Sequence, residues 1–198
     1  QFLAHGLTKV ISSSGIEPAL WEVDANLRPE GKDGTISRTV ESHLSYYQRW
    51  AQLWEFQALL KARPAAGDSG LGRRYFRTIW PLVWETASKE GFVQSVQNMR
   101  RRVEKNIPQK EEDRELKLGP GGLRDVEFTV QLLQLVHGRS EESLRVRNTL
   151  TAIDRLCAAG YIGRSQAAEL SEAYRYLRVL EHPIQMVKMR RTHLMPDQ

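Results

Sequence analysis

One cysteine, Cys157, stands among 198 residues, and no apolar run approaches the roughly 18 residues that a membrane-spanning helix needs. A lone cysteine excludes an internal disulfide, and the absence of Cys/His groups at ligand spacing argues against a structural zinc site. Both point to a soluble protein of the reducing cytoplasm with no membrane association. Cys157 lies between Leu156 and Ala158 and reads as a core residue, so neither a Cys-His nor a Ser-His-Asp arrangement can be inferred. The GxxxxGK[ST] pattern of a P-loop is missing, as are internal repeats and low-complexity tracts. Neither charge dominates: 29 basic and 24 acidic residues leave a net +5, and the two signs are interleaved. The densest basic cluster, Arg100-Arg101-Arg102, is followed at once by Glu104, so no nucleic-acid-binding stripe is expected. The opening Gln1-Phe2-Leu3-Ala4-His5-Gly6 has neither an initiator methionine nor a basic signal region and reads as a cut from a longer chain.

What remains is mostly helical pattern. Ala19 to Leu27 alternates, with Trp21, Val23 and Ala25 on one side and Leu20, Glu22, Asp24 and Asn26 on the other, which predicts a half-buried strand. Arg28-Pro29-Glu30-Gly31-Lys32-Asp33-Gly34 then reads as a loop. A single strand cannot satisfy its own backbone, so it requires a sheet whose other strands are not in this sequence. From Ser37 onward, apolar residues at three- and four-residue spacing predict helices over about 37–48, 50–63, 69–88, 92–106, 122–137, 149–160 and 165–191. The tryptophans at 50, 54, 80 and 84 pair at four-residue spacing, a pattern of helix core. The fold class expected is mainly α: the edge of an α/β domain over residues 1–106, then a helical bundle over 107–198, separated by the polar stretch near Asn106 to Glu115.

Three places carry residues suited to chemistry. Asp24 sits on the polar side of the expected strand, where an acid either meets solvent or serves as a hard oxygen ligand for a divalent metal. Lys61 and Arg63 close a helix ahead of Pro64; there they either complement the helix dipole or hold a phosphate, lysine as a point charge and arginine as a fork. Lys117-Leu118-Gly119-Pro120-Gly121-Gly122-Leu123 leads into a helix whose N–H groups could receive an anion, and Arg124, Glu127, Gln131 and Gln134 form a polar stripe able to face a cleft. A solvated loop and helix face explain the same residues without a ligand.

The order and wording of these segments resemble one family. Glu22 to Gly31 is similar to the V-D-x-x-L-R-P-x-G segment of glutamine synthetase adenylyltransferases. Tyr46-Tyr47, Trp54-Glu55, Lys61-Ala62-Arg63 and Gly67-Asp68 look like its Y-Y…W-E…K-A-R…G-D block, and Lys117 to Phe128 resembles its K-x-G-x-G-G-[IL]-R-[DE]-[IV]-E-F signature. The resemblance implies a nucleotidyltransferase domain in which Asp24 is the third metal carboxylate, the other two belonging to a G-S…D-x-D motif that nothing here matches. It further implies Arg28 near the phosphates, Lys61 and Arg63 as phosphate or nucleotide contacts, and Arg124, Asp125 and Glu127 lining or bracing the cleft. Implied too are magnesium, ATP or ADP with orthophosphate, glutamine synthetase as protein substrate, and a PII-type signal protein as a possible partner. The R-D-V-E-F wording and Met189 to Pro196 look like the adenylyl-removing half, and Trp21 to Gly34 looks actinobacterial. A non-catalytic helical interaction module is the competing reading, separable by a G-S…D-x-D pair in the parent sequence.

Overall fold

The computed structural model describes residues 2–13, 23–105, 107–187 and 192–196. Among them are eight α-helices: α1 (Phe2–Ser12), α2 (Val40–Arg49), α3 (Leu53–Leu59), α4 (Ser69–Glu85), α5 (Phe92–Lys105), α6 (Leu123–His137), α7 (Thr149–Ala158) and α8 (Arg164–Val187). The mainly helical expectation holds. Among the described residues the sole β pairing is an antiparallel bridge between Glu115 and Leu194.

The strand expected over 19–27 is not formed where it can be seen. Residues 19–22 lie outside the described residues; Val23–Ala25 have no regular structure, and Asn26 and Leu27 are in a turn. The cause is local. Asp24 Oδ1 accepts the Asn26 N–H at 2.9 Å, and the Ala25 carbonyl accepts the Arg28 N–H at 3.2 Å, so the chain bends here instead of offering a ladder edge. Helix α3 is also shorter than its apolar pattern. A reciprocal cap between Gln52 and Glu55 starts it, and Leu60, Lys61 and Ala62 turn by i→i+3 bonds beyond its end.

Contacts divide the chain into two units, Gln1–Leu82 and Val83–Gln198, the division falling within α4. In the first, Val40, Tyr47, Phe56, Leu60 and Ile79 are buried. Tyr47 rings meet Tyr46 and Phe56 with centroids 5.5 Å apart in each case, and Tyr75 sits edge-on to His43 at 5.3 Å. Glu55 is buried because its Oε1 accepts both the Gln52 N–H at 2.8 Å and the Tyr46 hydroxyl at 3.0 Å. Trp50 departs from the expected core role: it ends α2 and is 71% exposed, whereas Trp84 is buried.

In the second unit, α6, α7 and α8 enclose Val126, Val130, Leu144, Ala152, Ile153, Leu156 and Ala167, with Cys157 packed at the margin. Asn148 caps α7 by accepting the Thr151 N–H at 3.0 Å. Gly138 closes α6 against Trp84, whose ring would stand 2.6 Å from an added Cβ.

Candidate functional site

Arg28 makes the loop after Asp24. Its Nε donates to the Gly34 carbonyl at 2.7 Å, Nη1 to Ala25 at 2.7 Å and Nη2 to Lys32 at 2.8 Å, so one guanidinium ties three backbone carbonyls together. Pro29 and Gly34 are buried at the centre of this knot, and Glu30 takes a left-handed conformation with φ 63°. Asp24 itself is exposed at the mouth of the loop. The knot fixes the backbone that carries Asp24, and it leaves the carboxylate open to solvent.

Glu30 also pairs with Arg38, whose side chain is 14% exposed and lies over the Tyr46 ring at 5.9 Å. Arg38 in turn lines a cavity of about 360 Å³ together with His43, Arg63, Asp68, Tyr75 and Phe76. The volume suits a small ligand. Arg63 is exposed there and has no hydrogen-bond or ion-pair partner among the described residues. Asp68 caps α4, its Oδ1 accepting the Leu71 N–H at 2.6 Å. Lys61 is half-buried in the turn after α3 and is absent from the cavity lining. Burial beside Arg38 pulls the His43 imidazole below its ordinary pKa, so that ring is neutral at neutral pH. Sequence reasoning missed Arg38, His43 and Tyr75, for they belong to no motif; their only signal is that Arg38 immediately precedes the Thr39 cap of α2.

The glycine-rich loop is not an anion cradle. Its donors are used within the protein: Lys117 and Leu118 N–H to Glu115 Oε1, Gly119 to the Glu115 carbonyl, Gly121 to Asp125 Oδ2, and Gly122 to the Gly119 carbonyl. The first N–H groups of α6 are satisfied as well, Leu123 by Leu116, Arg124 by Lys117 and Asp125 by Gly122. The glycines answer to space. A Cβ on Gly119 would meet the Glu115 carbonyl oxygen at 2.5 Å, and one on Gly122 the Leu116 oxygen at 2.7 Å. Asp125 further pairs with Arg100, which raises the arginine's pKa, and Arg100 Nη2 reaches the Gly119 carbonyl at 3.2 Å.

The polar stripe of α6 does not face open space throughout. Gln131 and Gln134 are buried, Gln134 donating to the Leu144 and Val146 carbonyls at 2.6 and 2.8 Å. Two intrachain carbonyls close this amide off from any cleft. Arg124 lies over Phe128 at 5.5 Å and 3.5 Å from Glu127, whose other oxygen receives the Tyr174 hydroxyl at 3.4 Å. These two remain partly accessible and brace α6 against α8.

Residues 1–78 match the family profile described as glutamate-ammonia ligase adenylyltransferase, and residues 97–198 match GlnD PII-uridylyltransferase. Relatives named bifunctional glutamine synthetase adenylyltransferase/adenylyl-removing enzyme are 60% identical over 98% of this chain in Streptomyces avermitilis and 60% over 94% in Leifsonia xyli. The relative of that name in Mycobacterium tuberculosis is 59% identical over 90% of the chain. The chain belongs to the glutamine synthetase adenylyltransferase/adenylyl-removing enzyme family. It covers only 20%, 18% and 18% of these three relatives, so it corresponds to about a fifth of their length.

Within this family the motifs carry fold instructions. Tyr46 and Glu55 of the Y-Y…W-E block bond to each other, and Gly67-Asp68 turns the chain with φ 93° and caps α4. The nucleotidyltransferase family implies a divalent metal. Among the described residues no three His, Cys, Asp or Glu side chains stand together to hold one. Asp24 therefore fits as one ligand at most, and a complete metal site requires carboxylates beyond those described. No described helix is long and apolar enough to cross a membrane.

Proposed function

We propose that this chain is part of a cytoplasmic nucleotidyltransferase that adds AMP to, and removes it from, a tyrosine of glutamine synthetase, and that it belongs to the adenylyl-removing half. In this reading residues 1–106 close a nucleotidyltransferase domain and residues 107–198 form the helical domain that follows. Orthophosphate attacks the phosphorus of the adenylyl-tyrosine, ADP leaves with the new bond, and the tyrosine oxygen takes a proton. Asp24 supplies one carboxylate toward magnesium, and Arg28 holds the loop that presents it. Lys61 and Arg63 meet phosphate or nucleotide, while Arg124, Asp125 and Glu127 brace the cleft from the helical domain. A PII-type signal protein is a further partner of the whole enzyme.

The observation that supports this most is the cavity that joins the two amino-terminal motifs. Arg63 and Asp68 come from the K-A-R…G-D block, and Arg38, beside them, is held by Glu30 of the L-R-P-E-G loop. The cavity offers an unpaired guanidinium for a phosphate and aromatic edges of Tyr75 and His43 for a ring. Arg63→Ala in the full-length enzyme is expected to raise the KM for phosphate or nucleotide by about tenfold or more, with a melting temperature near that of the parent. Lys61→Ala is expected to act in the same direction. Unchanged kinetics in both, or a loss of stability with normal KM, would remove these residues from the site.

A further inference from the structure

The start of α6 is held from behind by a segment distant in sequence. Residues 192–196 return alongside 114–116: the Leu116 N–H donates to the His193 carbonyl at 2.9 Å, and the Met195 N–H donates to the Arg114 carbonyl at 2.9 Å. Arg114 Nη1 adds a bond to the Met195 carbonyl at 3.3 Å. On its other edge Leu116 accepts the Leu123 N–H at 2.9 Å, and Lys117 accepts that of Arg124 at 2.9 Å. Residues 114–117 are thus fixed between the return segment and the first turn of α6. Whatever holds the return segment also sets where α6 begins.

That hold comes from a buried carboxyl group of α8. Glu181 of α8 is 1% exposed, and a carboxylate taken from water is costly unless charged or hydrogen-bonding groups surround it. Arg178 pairs with one oxygen from the same helix. The other oxygen, Oε1, has no hydrogen bond of full geometry; the group nearest it is His193, whose Nδ1 stands 2.9 Å away and can either donate to Oε1 or accept from Gln185 Nε2 at 3.3 Å. The α8 helix needs no buried glutamate for its own sake. Its placement makes sense as an anchor for the segment that carries His193.

We propose that Glu181 and His193 are positioning residues: through the return segment they lock residues 114–117, and thereby hold Arg124 and Glu127 at the working end of α6. The catalytic consequence rests on the function proposed above. The mechanical link does not.

Hydrogen exchange on the full-length protein separates the two. His193→Ala is expected to speed exchange at the amides of Leu116, Leu123 and Arg124 by about tenfold or more, while those of Ala152 and Ile153 in α7 keep their protection. Glu181→Leu, of similar size but with no acceptor oxygen, should do the same. His193→Gln keeps a side-chain donor of similar reach and should restore protection. In phosphorolytic removal of AMP, the first two variants should lose kcat severalfold with little change in the KM for phosphate, and His193→Gln should recover it. Unchanged exchange at Leu116 and Leu123, or an equal rise throughout α7, would overturn the link. Local loosening with normal kcat would overturn the positioning role. If the parent enzyme removes no AMP, the functional reading fails while the exchange result still decides the mechanical one.

Discussion

Half-buried imidazoles show how single residues tie this fold to pH. Burial lowers the pKa of His43, aided by Arg38; burial and Lys117 lower that of His193, outweighing the opposing pull of Glu181 and Glu115. Below the ordinary value of 6.5 the unfolded chain therefore takes up protons before the folded one does. The stability owed to the neutral rings is complete above that value and is lost as pH falls through the lower, folded pKa. Denaturant midpoints measured from about pH 7.5 down to about pH 5.5 should fall, and less so in a His43→Gln, His193→Gln double variant. An identical slope would show that neither ring titrates abnormally. At this scale Asp24, Arg28 and Arg63 stand out in the sequence as candidates because they sit inside worded motifs. Arg38, Glu181 and His193 do not, since each matters through a neighbour far along the chain and only the fold brings the neighbours together.

Helices with sustained three- and four-residue spacing, such as α4, α6 and α8, were legible to within a few residues, because one face of each must be buried. In two shorter stretches the sequence pattern leaves the backbone undecided for a common reason: it does not show where backbone donors go. The alternation across Ala19 to Leu27 suggests a strand, yet in its described part Asp24 takes the Asn26 N–H and turns the chain. The glycines before α6 allow either an anion site or a loop without a ligand, and their N–H groups end on Glu115, Asp125 and neighbouring carbonyls. Gly122 is the sharper test. A Cβ there would approach three carbonyl oxygens, of Leu116, Gly119 and Lys117, within 3.1 Å. Gly122→Ala should destabilise the protein by about 2 kcal/mol through forced backbone shifts, visible as a lower denaturant midpoint. No loss of stability would mean that the loop relaxes easily and that its signature glycines serve a ligand after all.

On the scale of the whole molecule, the chain combines a helical core with residues proposed here to belong to an active site. The enclosed cluster around Val130, Ile153 and Leu156 can sustain a folded state, whereas the described residues bring no set of carboxylates together. The 198-residue chain alone should accordingly give a helical circular dichroism spectrum and a cooperative melt, yet release no ADP from adenylylated glutamine synthetase with phosphate and magnesium. Metal-dependent release above a chain-free control would place the missing ligands within this sequence.

The most direct test of the account concerns Asp24 in the full-length enzyme. Its carboxylate is exposed on a loop that Arg28 fastens independently, so Asp24→Asn removes a negative charge while keeping an oxygen that can accept the Asn26 N–H. The measurement is the rate of phosphate-dependent ADP release from adenylylated glutamine synthetase, taken beside a thermal melt. If Asp24 is a metal carboxylate, the rate falls about 100-fold or more with the melting temperature unchanged. Near-parental release by a variant that melts normally would contradict it.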